Sequence, residues 1–350
     1  MDKYYTKPCN FYFGIQSEKK VKSRKSLPLG GNKLISFDTI EIISRKNSKL
    51  INIKEIRNLK PSLRKKINTD ISNIKRKKIF KGLKFKTSPI LMGVINMTPD
   101  SFSDGGKYNK KNSALKRAKY FIKKGCQIID VGGESTRPGA KEINLNNEWK
   151  RIEGFFKKTK KLNCLISIDT RKSKIMDLAS EYKVDLINDV SGLNYDTSTI
   201  SFLRKTKKPF VIHHSKGLPK TMQKKPNYKN VLLDIYDFFE NKLKTIKSNG
   251  IKHNNIILDP GIGFGKNLKH NITLLKHVSI FHSLGYPVML GISRKRFIKD
   301  LVGYNDSKER IGGTISSSIW LMMQGVQILR VHDFNEINQA IKVFKTLKFK

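Results

Sequence analysis

The chain has 350 residues, and its 71 lysines and arginines outnumber 28 aspartates and glutamates to give a formal net charge of +43. That length allows one large core plus an added segment. Three cysteines (Cys9, Cys126, Cys164) without CxxC spacing exclude a disulfide framework and a cysteine-built zinc site, so a reducing cytoplasm is expected.

Residues 1–30 are polar, with Pro8, Pro28 and Gly30-Gly31, and read as a mostly irregular arm. Stretches 34–43 and 50–56 read as two strands of a β-hairpin turning at Lys46-Asn47-Ser48, and 62–81 as a basic helix ending near Gly82. Residues 1–88 are therefore taken as a basic N-terminal accessory extension, and 89–350 as the main domain. The N-terminus has no apolar segment of a secretory leader, and no apolar run reaches the ~18 residues of a membrane span. Lysine exceeds arginine about four to one and is spread over nearly every predicted helix, which fits codon bias toward Lys, Ile and Asn. Without clustered arginine or interleaved aromatics, the charge predicts only non-specific, salt-sensitive nucleic-acid binding.

From residue 90 one event recurs eight times: a short apolar run ends in a polar cluster. Runs at 90–95, 128–129, 165–168, 186–187, 211–212, 256–258, 288–290 and 326–329 lead to Asn96, Asp130, Asp169, Asn188-Asp189, His213-His214, Asp259, Gly291-Ile292-Ser293-Arg294-Lys295 and Arg330-Val331-His332. Between them, 114–124, 149–161, 172–182, 232–247, 272–284, 311–324 and 337–347 repeat apolar residues every three or four positions, as amphipathic helices do. Eight buried strands alternating with helices predict an α/β fold, a (β/α)8 TIM barrel with its site at the carboxyl ends of the strands. A doubly wound sheet would concentrate polar residues at one switch point.

Asn96-Met97-Thr98-Pro99-Asp100-Ser101-Phe102-Ser103-Asp104-Gly105-Gly106 and Gly132-Gly133-Glu134-Ser135-Thr136-Arg137-Pro138-Gly139-Ala140 resemble the two signature segments of the dihydropteroate synthase family. Ile168-Asp169-Thr170, Ile187-Asn188-Asp189, Thr221-Met222-Gln223, the run from Asp259 to Asn267, Ser293-Arg294-Lys295 and Arg330-Val331-His332-Asp333 resemble it as well, in the family's order over roughly 89–350. The resemblance implies a transferase of folate biosynthesis. It would condense 7,8-dihydropterin-6-ylmethyl diphosphate with p-aminobenzoate to give 7,8-dihydropteroate and pyrophosphate, through a dissociative, carbocation-like path.

A flat pterin edged by amide and amino groups suits Asp169, Asn188, Asp259 and Lys295, with His213 beneath the ring. Carboxylates of Asp130, Asp169 and Asp104 would face the developing cation, and Lys295 completes the expected catalytic set. Thr136, Arg137, Arg330 and His332 suit the diphosphate, and Asn96 a Mg²⁺ shared with it. By resemblance p-aminobenzoate lies against Pro138 and Phe264, with its carboxylate near Lys295 and Arg296. Loops 99–108 and 134–142 are expected to act as lids. The family also implies a homodimer through the last helices, with apolar faces at 315–323 and 337–344, and sulfonamides as inhibitors. One departure stands out: His213 occupies a position where the family usually has Met, so altered pterin affinity is expected. Two rivals are weaker. A methyltetrahydrofolate-dependent methyltransferase barrel has no diphosphate to hold, and a degenerate barrel binding nucleic acid would not need intact loops.

Overall fold

The computed structural model describes residues 2–80, 82–83, 85, 89–98, 110–135, 139–217, 222 and 226–349. Eight short strands form a parallel sheet: β5 (Ile90–Asn96), β6 (Ile128–Gly132), β7 (Leu165–Asp169), β8 (Leu186–Asp189), β9 (Phe210–His213), β10 (Ile256–Asp259), β11 (Met289–Gly291) and β12 (Ile328–Val331). Their order is β10-β9-β8-β7-β6-β5-β12-β11, and a parallel bridge between Leu258 and Val288 closes the ring. The expected TIM barrel is thus present. Around it run α3 (Lys110–Lys123), α4 (Leu145–Phe156), α5 (Ser173–Ser180), α6 (Thr199–Thr206), α7 (Val231–Ser248), α8 (Leu268–Lys276), α9 (Arg296–Val302), α10 (Ile311–Met323) and α11 (Phe334–Phe349). The sequence reading missed α6 and α9, which have eight and seven residues. No described helix is long and apolar enough to cross a membrane.

The amino-terminal part is more ordered than its composition suggested. Residues 1–30, expected to be irregular, contain strand β1 (Tyr5–Phe13), helix α1 (Gly14–Lys22) and strand β2 (Leu27–Leu29). Long β3 (Asn32–Ile43) pairs antiparallel with β1 and, on its other edge, with β2 and then β4 (Ser48–Asn52). The predicted hairpin therefore joins the central β3 to the edge strand β4 of a four-stranded sheet. Its second strand ends at Asn52, which caps a 3-10 turn over Ile53–Asn58 by a reciprocal bond with Glu55. Pro8 misled the reading of β1, but it lies on an edge strand, where a missing N–H breaks no ladder.

Helix α2 (Pro61–Lys75) opens with proline at its first position and buries Ile67, Ile71 and Ile74 against Phe37, Ile40 and Ile51 of the sheet. The sheet docks on the barrel flank. Tyr5 packs edge-on to Tyr236 of α7 at 5.0 Å and donates to Asp237 (2.9 Å), Ser279 donates to the Pro8 carbonyl (3.0 Å), and Phe13 meets Phe349 at 5.6 Å. Lys3 and Arg45 bind the acidic side chains of α7 at Asp234, Asp237 and Glu240.

Below the strands, Phe80, Leu83 and Phe85 close the amino-terminal end of the barrel. They pack on an inward ring of Ile90, Met92, Ile128, Leu186, Val211, Ile257, Met289 and Ile328. A (β/α)8 interior is a packed core of such layers rather than a pore.

Candidate active site at the carboxyl ends of the strands

The two-residue period of a strand decides which side chains line the mouth. Two positions beyond each apolar floor residue comes a polar one on the same face: Asp130 after Ile128, Asn188 after Leu186, His213 after Val211, Asp259 after Ile257 and Arg330 after Ile328. On β7 the order Leu165, Ser167, Asp169 places two polar groups inward. The register sets Ser167 beside Asp130, Gly132 beside Asp169, and Asp169 beside Asn188. A Cβ at Gly132 would lie 3.3 Å from that of Asp169, so glycine leaves the carboxylate its room.

Arg330 is the hub. Its Nε donates to Asp130 Oδ2 (2.7 Å) and its Nη2 to Asp169 Oδ2 (2.6 Å), while Asn188 Nδ2 donates to Asp130 Oδ2 (3.1 Å). Asp130, Asp169 and Asn188 are at most 5% exposed. The Oδ1 atom of each is buried without a hydrogen-bond partner among the described residues, as is Ser167 Oγ. Buried acceptors are normally satisfied, so three together mark a surface made for a ligand rich in N–H groups. Burial pushes the Asp169 carboxyl up to about 7, with Arg330 opposing and Asp130 reinforcing the shift. Burial works against the Arg330 charge, yet Asp130 and Asp169 hold its guanidinium above its usual range.

The wall between β9 and β11 has a different character. Asp259 accepts from the Gly261 N–H (2.8 Å), and burial raises its carboxyl to about 6. Gly261 has φ +70°, and a Cβ there would fall 2.0 Å from the His214 carbonyl oxygen, so only glycine fits. Lys295 donates to the Ile262 carbonyl (2.9 Å) and stands 4.2 Å above the Phe264 ring; burial lowers its amine to about 8, although Asp259 favours the charge. His213 lies 3.0 Å from the Val190 carbonyl through Nδ1 and meets Phe264 edge-on at 4.5 Å. Burial, then Lys266, keeps this imidazole well below its ordinary pKa. A neutral ring with Nδ1–H given to Val190 leaves Nε2 an acceptor.

On the β5–β12 side, Asn96 Nδ2 is 3.5 Å from His332 Nε2. The His332 N–H donates to Ser293 Oγ (3.2 Å). Arg294 holds Asp333 through Nε (2.9 Å) and Nη2. Among the described residues no cluster of three His, Cys, Asp or Glu side chains could hold a metal by itself.

The mouth therefore gathers Asp130, Asp169, Asn188, Arg330, Asp259, Lys295, His213 and Phe264, with Asn96 and His332 at its edge. Arg296 stands apart, exposed on α9 and paired with Asp300 (3.4 Å). Asp104, Thr136, Arg137 and Pro138 lie outside the described residues, as does the whole 99–108 loop.

Two groups escaped the sequence reading. Ser167 was legible from its i, i+2 relation to Asp169. The other is a buried ionic cluster. Arg171 is bidentate to Glu134 (3.0 and 3.2 Å) and stacks 4.0 Å over Tyr195. Lys172 binds Glu148 (2.7 Å) and the Ile143 carbonyl (2.8 Å). Glu134 also accepts from the Ile143 N–H (3.1 Å), so both ends of 134–143 are tied to the end of β7. No local spacing in the sequence announces contacts this distant.

Residues 92–332 match the model of the family described as pterin binding enzyme. Dihydropteroate synthase of Neisseria meningitidis serogroup B is 38% identical over 264 residues, 74% of this chain and 93% of that protein. The Yersinia pestis dihydropteroate synthase crystallised with a sulfonamide drug superposes with a TM-score of 0.72 at 35% identity, covering 78% of this chain and 99% of that one. The Xanthomonas albilineans dihydropteroate synthase with 4-aminobenzoic acid gives 0.70 at 31% identity, covering 76% and 95%.

Proposed function

The chain belongs to the pterin-binding enzymes, among the dihydropteroate synthases, and we propose from that premise how its barrel mouth carries out their condensation. The activity is a transfer reaction of folate biosynthesis: 7,8-dihydropterin-6-ylmethyl diphosphate and p-aminobenzoate give 7,8-dihydropteroate and pyrophosphate.

The observation that carries the mechanism is the trio of buried, unpartnered oxygens on Asp130, Asp169 and Asn188. A pterin edge of ring N–H and amino groups supplies the donors they need, and Asp259 and Lys295 complete an acceptor and a donor on the facing wall, with His213 beneath the ring. As the bond from the exocyclic methylene to diphosphate breaks, its electron pair leaves with the diphosphate and positive charge grows on the pterin. The carboxylates of Asp130 and Asp169, with Asp104 from the first loop, stabilise that charge in a site with little water. The aniline nitrogen then donates its lone pair to the methylene carbon and sheds one proton. It needs no activating base, because it is neutral and nucleophilic at the outset.

Arg330 serves two sides. Nε and Nη2 fix the carboxylates, while Nη1 makes no hydrogen bond among the described residues and would serve a diphosphate oxygen. His332, Thr136 and Arg137 complete that anion site. Asn96 offers one hard oxygen, which fits a Mg²⁺ whose remaining ligands are diphosphate oxygens and water; such an ion would neutralise the leaving group. The p-aminobenzoate ring packs on Phe264 and Pro138, with its carboxylate toward Lys295; Arg296, exposed and paired with Asp300, stands away from it. A sulfonamide mimicking that ring would compete there. A homodimer through α10 and α11 and a cytoplasmic setting complete the reading; Cys9, Cys126 and Cys164 are all free thiols.

The direct assay is pyrophosphate release from the pterin diphosphate with Mg²⁺, with and without p-aminobenzoate. Release that requires p-aminobenzoate and falls with a sulfonamide is expected. Bound pterin without release would overturn the mechanism.

A further inference from the structure

The wall that the proposed function gives to p-aminobenzoate is built on the least self-supporting backbone of the mouth. In Gly261-Ile262-Gly263-Phe264-Gly265 the three glycines take φ values of +70°, +82° and +62°. Glycines of this kind lose the most conformational freedom on ordering, so the shape of the segment must be imposed from outside. Each of three successive constraints does part of this. Lys295 binds the Ile262 carbonyl (2.9 Å), Tyr228 OH binds the Gly265 carbonyl (2.9 Å), and Asn271 accepts from the Gly263 N–H (2.8 Å).

The fourth constraint is Lys266, 2% exposed and unused by the reaction. Its Nζ donates to the Phe264 carbonyl (2.8 Å), approaches His214 Nδ1 (2.9 Å) and reaches the His214 carbonyl (3.4 Å). Burial keeps this amine well below its ordinary pKa; its N–H groups reach the two carbonyls, and the contact with His214 Nδ1 completes the tie. His214 is itself immobile, set edge-on against Phe238 at 4.9 Å. The amine thus ties the backbone of Phe264 to the end of β9. On the other side of the same residue, the Phe264 ring carries Lys295 and His213. No carboxylate pairs with Lys266 at ion-pair distance among the described residues, so a simple salt-bridge role does not account for it.

We propose that Lys266 is a positioning residue for the second substrate: by anchoring the Phe264 carbonyl to His214, it holds the Phe264 ring at the angle that p-aminobenzoate packs on. This rests on the reading of Phe264 as part of the p-aminobenzoate wall. It assigns a substrate-selective effect to a side chain that touches neither substrate.

The experiment compares Lys266→Met, Phe264→Ala and the double variant by steady-state kinetics in both substrates, with binding of the pterin diphosphate alone by calorimetry. Lys266→Gln, which keeps two donors, replaces Lys266→Met if the latter does not fold. Lys266→Met is expected to raise KM for p-aminobenzoate about tenfold to a hundredfold, the scale of buried carbonyls left without a donor and a displaced contact. KM and affinity for the pterin diphosphate should stay within about threefold. In the Phe264→Ala background the same change should add less than about twofold, because both act through one ring. Equal losses for both substrates, or full additivity, would overturn the inference alone. A Phe264→Ala variant with unchanged KM for p-aminobenzoate would overturn the placement of that substrate, and the inference with it.

Discussion

The two ends of the barrel are lined by the same strands and have opposite chemistry. At the floor, Ile128, Leu186, Val211, Ile257 and Ile328 meet Phe80, Leu83 and Phe85 in an apolar layer. One pleat further along the same strands stand Asp130, Asn188, His213, Asp259 and Arg330. Floor residues gain their energy by leaving water. Mouth residues lose by the same burial, which raises the carboxyls of Asp169 and Asp259 and lowers the amine of Lys295. A barrel of this kind keeps its stability and its reactivity about 7 Å apart, the length of two residues along a strand.

Replacing Arg330 should break that separation most severely. Arg330→Met leaves Asp130 and Asp169 facing each other with no cation, and removing one partner of a buried pair costs about 3–5 kcal/mol. Pyrophosphate release should fall by roughly a thousandfold or more, and the urea midpoint should fall with it. A variant with normal stability would show that Arg330 does not hold the two carboxylates together energetically.

Phe80→Ala tests the opposite end. A buried phenylalanine lost from a packed layer costs about 3–5 kcal/mol, while KM for each substrate, measured well below the unfolding temperature, should change less than about twofold. A large kinetic change would mean that the floor shapes the mouth.

Asp259 gives a pH signature. Its carboxyl titrates near 6 in the fold, against 3.8 ordinarily. Between those values the folded chain keeps a proton that the unfolded chain has released, so this contribution to stability is complete below about pH 4 and lost by about pH 6. Relative to Asp259→Asn, the native chain should lose about 3 kcal/mol across that window, read as a diverging difference in thermal midpoint. A difference moving the other way would mean that Lys295 and the Gly261 N–H outweigh burial.

The smallest effect belongs to the flank. Arg45 pairs with Asp234 and Asp237 while still partly in water, so Arg45→Ala should cost less than about 1 kcal/mol and leave turnover intact.

The sequence exposed these regions unequally. The mouth was legible because a polar residue closes each apolar run, and Asp130, Asp169, Asn188, Asp259 and Arg330 were all found that way. The use of Arg330 as a tie between two carboxylates was not, because strand register decides it. The floor was half legible: Ile128, Leu186, Val211, Ile257 and Ile328 lie in the apolar runs, whereas Phe80 fell in the helix expected over 62–81, which ends at Lys75, and Leu83 and Phe85 in no expected element. In the extension, Pro8 concealed β1 until pairing showed it to be an edge, whereas the hairpin of β3 and β4 was visible from alternating apolar residues. Lys266 looked like the end of a glycine-rich turn, and only the fold brings His214 beside it.

The contact between Phe13 and Phe349 has a consequence for how the protein is made. A ribosome adding ~5–20 residues per second finishes β1 on the order of tens of seconds before the helix end that seals it. Throughout that interval the first sheet to be synthesised lacks Tyr236, Ser279 and Phe349, its partners in later segments. Its edge strand β1, which carries Tyr5 and Phe13, then stands uncovered, and its protection in the cell falls to whatever binds young chains until the barrel arrives.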